Sequence, residues 1–145
     1  MKSKGNWFFI SLTVLSFFGI SHVFAFQAVI EVISSDTEVD RSELLFGTAN
    51  GASDGYDLSI DGFAPPTPQG PIQLDAYFPV SDTLITRLVA DYRTASSAIT
   101  YTFKVRADQH SFTLFWNVAD IPANFTYLQL STSSGVALDN LDMRQ

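Results

Sequence analysis

The sequence predicts an all-β protein, an immunoglobulin-like antiparallel β-sandwich of about seven to eight short strands. Three observations carry that expectation. Ile99-Thr100-Tyr101-Thr102-Phe103-Lys104-Val105-Arg106 alternates apolar and polar residues without error, the period of a strand with one buried face. Ile72-Gln73-Leu74-Asp75-Ala76-Tyr77-Phe78 repeats the pattern and aims Ile72, Leu74, Ala76 and Phe78 inward. Finally, aromatic residues make up 14% of the chain and charged residues only 16%, a balance that favours a packed core over disorder.

The first element in the chain is read as a leader rather than as part of the domain. Lys2 and Lys4 give a basic start, an apolar stretch runs from Trp7 to about Ile20, and Val23-Phe24-Ala25 offers small residues at the −3 and −1 positions of a cut after Ala25. The apolar stretch is short for a membrane span, and Ser11, Thr13, Ser16, Gly19, Ser21 and His22 dilute it, so a cleaved signal peptide over 1–25 is preferred to a retained anchor. The expected mature chain, 26–145, is one domain at about 100–200 residues per domain, secreted or held at the cell surface.

Within 26–145, strands are expected at Ala28–Ile33, Glu43–Phe46, 72–78, 99–106, Ser111–Asn117, Phe125–Ser131 and Gly135–Leu138, all rich in residues that suit a pleated surface. Asn50-Gly51 and Asp54-Gly55 mark turns, and Pro65-Pro66-Thr67-Pro68-Gln69-Gly70-Pro71 excludes a central strand or helix. Asp108-Gln109-His110 and Asp120-Ile121-Pro122-Ala123-Asn124 read as further connections. From Thr83 to Arg93 the residues fit both a helical stripe of Leu84, Ile85, Leu88, Val89 and Tyr92 and a strand. The strand is preferred because its neighbours need partners.

Composition narrows function. The chain contains no Cys, which removes disulfides, thiolate metal sites and cysteine nucleophiles. All 15 acidic residues follow Ala25, whereas two of the eight basic ones precede it. The mature chain then carries 15 acidic against six basic side chains. Phosphate backbones repel such a chain, so nucleic acid is not expected as a partner. His110 is the one histidine after the leader. It lies at a turn, without the Gly-x-Ser-x-Gly elbow that would make Ser111 a nucleophile. Catalysis is therefore not expected, and a small secreted hydrolase ranks last among the alternatives.

Two groups of residues are candidates for binding. Asp54, Asp57 and Asp61 fall within eight positions of a glycine-rich loop. Calcium takes about six to eight oxygen ligands, and glycines let a loop curl around the ion. The spacing does not match an EF-hand, and the aspartates equally suit bracing of turns through their own backbone. Tyr56, Tyr77 and Phe115 are expected in loops or on an outward face, where rings stack on sugars or contact a protein. Phe63 belongs with them, while Phe103, Phe112, Trp116 and Phe125 are expected in the core. Asn124-Phe125-Thr126 has the form of a glycosylation sequon.

Several short motifs, in order, extend this picture: Leu45-Phe46-Gly47; Ser53-Asp54-Gly55-Tyr56-Asp57 with Asp61; Pro65-Pro66-Thr67-Pro68; Ala76-Tyr77-Phe78-Pro79; Asp91-Tyr92-Arg93; Trp116; Ile121-Pro122; and Asp142-Met143-Arg144. Through them the chain resembles an uncharacterised β-sandwich module of secreted bacterial proteins, found near type IX sorting domains or dockerin-like segments. The resemblance implies an extracellular domain with a non-catalytic role in adhesion or packing, and it carries over no site. The chain departs from that pattern at its end, where no sorting domain follows and the strand expected after Asp142-Met143-Arg144 is missing. Val136, Leu138 and Leu141 still supply apolar side chains there. A sandwich lacking its closing strand is expected to pair through the open edge, with a copy of itself or with a larger surface protein.

Overall fold

The computed structural model describes residues 7–16, 26–34, 40–67, 74–96, 98–107, 111–122, 125–132 and 141–143. Their strands are β1 (Trp7–Ser16), β2 (Phe26–Ser34), β3 (Arg41–Thr48), β4 (Gly62–Phe63), β5 (Asp75–Pro79), β6 (Arg87–Arg93), β7 (Ala98–Arg106), β8 (Phe112–Trp116), β9 (Phe125–Thr132) and β10 (Leu141–Asp142). A single 3-10 turn, Val118–Asp120, is the helical element among the described residues. The protein is all-β, as the alternation predicts.

The strands join in the order β10-β9-β1-β7-β5-β6-β3-β2-β8, with β4 added against β6. After residue 25 the described residues form seven strands of five residues or more, β2, β3 and β5 to β9, with the two-residue β4 and β10 beside them. One feature corrects the expectation of an antiparallel arrangement: the β3–β6 pair is parallel, Leu45 to Thr48 lying opposite Ala90 to Arg93. A parallel neighbour needs a long crossover, and the chain supplies one through 49–86, which includes β4 and β5. β5 is the joint of the structure. Its first half, Asp75 to Tyr77, pairs with β7, and its second half, Phe78 and Pro79, pairs with β6.

The sheet curls so that its two ends meet. Trp116 at the end of β8 donates from Nε1 to the Met143 carbonyl, just beyond β10, at 2.7 Å, and Met143 is fully buried. Inside the curl, β2 buries Ala28, Ile30, Val32 and Ser34 at alternate positions, and β7 buries Ile99, Tyr101, Phe103 and Val105. Phe46 and Phe78 pack on Tyr101 at ring-centroid distances of 5.2 and 6.3 Å, and Phe78 meets Phe103 at 6.0 Å. Tilted and edge-on contacts of this kind add to the gain from burying apolar area.

Local sequence explains most element boundaries. The alternation at 99–106 becomes β7. Between Thr83 and Arg93 the strand begins only at Arg87, because the Asp82 carboxylate accepts from the Leu84 and Ile85 amides at 2.8 and 3.0 Å and turns the chain there. Gly47 has a steric cause. A Cβ at this position would stand 1.9 Å from the Phe26 carbonyl oxygen across the β2–β3 ladder.

Residues 7–16, inside the segment read as a leader, form β1 between β7 and β9. The cut after Ala25 falls outside the described residues, as do Asp108-Gln109-His110 and the strand expected at Gly135–Leu138.

Candidate functional site

The acidic loop is a self-braced turn. Asp57 Oδ2 accepts from the Ser53 amide at 2.5 Å and from Ser53 Oγ at 2.9 Å. Asp61 divides its oxygens between the loop and β6: Oδ2 accepts from the Asp57 amide and Oδ1 from the Tyr92 amide, each at 2.8 Å. Burial pushes the Asp61 carboxyl above its usual range, against the lowering effect of those two amides, and the nearby Asp91 and Asp57 charges push the same way as burial. Asp54 is exposed at the loop tip. Among the described residues, no group of three or more acidic or histidine side chains that could hold a metal ion is found. The sequence places Asp54, Asp57 and Asp61 near one another; of the three backbone amides that engage Asp57 and Asp61, those of Ser53 and Asp57 are local, and that of Tyr92 is brought by the fold.

The expected row of exposed rings is also rearranged. Phe115 is 50% exposed on β8, in line with its outward position. Tyr56 is half-buried and packs against the core cluster. Tyr77 is a correction: it is only 9% exposed, with the Arg87 guanidinium 4.0 Å above its ring centroid, and burial raises its hydroxyl pKa. Its strand, β5, is covered on both faces, because Asp75 turns inward to pair with Arg87. Phe63, 61% exposed, stands out as expected, and Leu84, part of the helical alternative that does not form, is 88% exposed.

These exposed groups line two open grooves. One, of about 260 Å3, runs along β2, β8 and the 3-10 turn and is lined by Val29, Glu31, Phe115, Trp116, Asn117 and Asp120. Arg41 caps Glu31 on the adjoining strand at 2.8 Å. The other, of about 330 Å3, lies between β4 and the loop leading into β6, with Phe63, Pro66, Leu84 and Ile85 as its apolar wall and Arg87 at its base. Trp116, expected in the core, thus shares its ring between core and groove.

Beneath the surface lie two ion pairs, Asp75–Arg87 between β5 and β6 and Asp91–Arg93 within β6. Asp91, 1% exposed, receives Arg93 Nη2 at 2.8 Å, and Arg93 Nη1 reaches the Thr100 carbonyl at 2.9 Å. The guanidinium sits 5.0 Å over the Tyr101 ring. The Tyr101 hydroxyl donates to the Gly47 carbonyl, and burial drives its pKa far upward. Asp91-Tyr92-Arg93 is visible as a motif. Its partners in β3 and β7 are not, since nothing local in sequence pairs them.

No family model matches this chain, and no match to it was found among curated proteins or solved structures. The resemblance to secreted bacterial modules therefore rests on the sequence motifs alone.

Proposed function

We propose that this chain is an exported, non-enzymatic module of immunoglobulin-like β-sandwich type that works outside the cell or at its surface, by binding or by adhesive packing. The observation that carries this is the surface: Phe115 and Phe63 stand out of shallow, open grooves rather than into an enclosed cleft. Exposed rings over open grooves suit a broad macromolecular contact, in which aromatic residues contribute most per residue. The basic start and the small residues before Phe26 support export, and among the described residues no helix is long and apolar enough to cross a membrane.

A second reading is a carbohydrate-binding module. Phe115 beside Glu31, Asn117 and Asp120 combines a stacking ring with carboxylate and amide groups suited to sugar hydroxyls. Protease treatment of intact cells producing the tagged chain locates it, and a glycan array separates the two readings. Cleavage on intact cells with no saturable sugar retention is expected. Retention abolished by Phe115→Ala would establish the carbohydrate reading instead, and turnover of ester, peptide or glycoside substrates would overturn a non-enzymatic role.

A further inference from the structure

β1 holds a place in the sheet that the export reading takes away from it. It pairs with β7 over nine positions, Trp7 opposite Arg106 through Leu15 opposite Ala98, and with β9 from Ile10 opposite Thr132 to Ser16 opposite Phe125. It is the sole connection in the strand order between β9–β10 and the remainder. β7 meets β5 only at Lys104, Val105 and Arg106. From Ala98 to Phe103, β1 is therefore the one strand that β7 pairs with among the described residues.

The register defines what the slot accepts. Residues directly opposite in an antiparallel pair share a face. Phe8, Ile10, Leu12 and Val14 stand opposite Val105, Phe103, Tyr101 and Ile99, the buried row of β7. Leu12 and Val14 also stand opposite Leu130 and Leu128 of β9. On the other face Ser11 and Thr13 stand opposite Thr102 and Thr100, and Ser131 and Gln129. The slot thus takes an extended strand of about nine residues, antiparallel to both neighbours, with large apolar residues at every second position and small polar ones between.

We infer that cleavage after Ala25 opens this slot and that its occupant in the exported protein is a strand donated by another polypeptide with that alternation. The inference rests on the export reading. A second copy of the mature chain is the poorer donor, because two chains each carrying 15 acidic and six basic side chains repel one another. The position differs from that expected on sequence: the opening lies inside the sheet, between β7 and β9, rather than at an outer edge. A strand inserted there satisfies backbone groups on both its sides, which is what makes strand donation strong and selective.

The test uses the full chain produced in an export-competent bacterial host, with the purified product examined by N-terminal sequencing and site-resolved hydrogen exchange. The probe is a synthetic peptide with the sequence of residues 7–16 and a charged solubilising tail. The control is a peptide of the same composition whose apolar and polar positions are exchanged. A product beginning at Phe26 is expected. Its β7 and β9 amides should slow at least tenfold on adding the first peptide, saturably and at one peptide per chain, and not with the control. A product that keeps residues 1–25 overturns the export reading and the inference with it. A product beginning at Phe26 whose β7 and β9 amides are protected without peptide, or respond equally to both peptides, overturns the inference and leaves export standing. A product beginning at Phe26 that stays unfolded with either peptide overturns the inference in the same way.

Discussion

The two halves of the sheet are held in different ways. Around β3, β5, β6 and β7, the Asp75–Arg87 pair joins β5 to β6, the Tyr101–Gly47 hydrogen bond joins β7 to β3, and Arg93, paired with Asp91 on its own strand, reaches the Thr100 carbonyl of β7. Around β9 and β10, the ladder runs from β10 through β9 to β1, Met143 packs in the core cluster, and the Trp116–Met143 bond joins the ends of the curl. One half is joined strand to strand by packing and paired charge. The other joins the sheet through β1. Elements connected through one strand form natural units of local opening, and the elements that take part in partner exchange are drawn from such units.

The comparison is broken most severely by removing Asp91. An isolated buried charge costs far more than the pair contributes, so Asp91→Ala should lower stability by about 3 kcal/mol as Arg93 loses its partner beside Tyr101, measured by denaturant melting. Next is Gly47→Ala, whose added methyl meets the Phe26 carbonyl oxygen. Separation of β2 from β3 there should cost about 2 kcal/mol, whereas an alanine at Gly55, where the nearest atom is 3.7 Å away, should be close to neutral. A smaller effect belongs to the half joined through β1. Trp116→Phe removes the donor to the Met143 carbonyl and should cost about 1 kcal/mol, read most clearly as faster exchange at 141–143 rather than as a global change.

The smallest effect concerns the acidic loop and sharpens the view of it as a brace. Asp61→Asn keeps one acceptor oxygen for two amides and should destabilise the chain. Because burial raises the Asp61 carboxyl pKa from its ordinary 3.8, the folded chain binds that proton more tightly than the unfolded chain does. The burial cost is thus absent below 3.8 and fully present above the folded value, and stability from this group falls as pH rises through that interval. The deficit of Asp61→Asn relative to the parent should be wider below pH 3.8 than at pH 7. A deficit that widens towards pH 7 would mean that the charged carboxylate is the stabilised form.

These differences mark where sequence was informative. The strand 99–106 was legible because one face is core and the other is not, so burial imposes a period of two. The strand at Asp75–Pro79 shows the same alternation for a misleading reason. Asp75 and Tyr77 occupy the polar positions yet are buried, because Arg87, on the neighbouring strand β6, supplies a charge and a stacking partner. The parallel β3–β6 pair was illegible, since register across a crossover is set by tertiary packing. In the candidate binding surface, Phe115 and Phe63 were legible as exposed rings, while Leu84 was hidden by the Asx turn at Asp82. Ile10-Ser11-Leu12-Thr13-Val14 carries strand alternation as well as leader character, and only the pairing partners distinguish the two.

Native-state hydrogen exchange of the full chain at increasing, sub-denaturing guanidinium concentrations tests the division most directly, because it reads an opening free energy for each strand. Amides of β9 and β10 should open together at a distinctly lower free energy than those of β2, β3 and β6. A single opening free energy shared by every strand would contradict the account, since it would make β9 and β10 as firmly held as the cross-linked half.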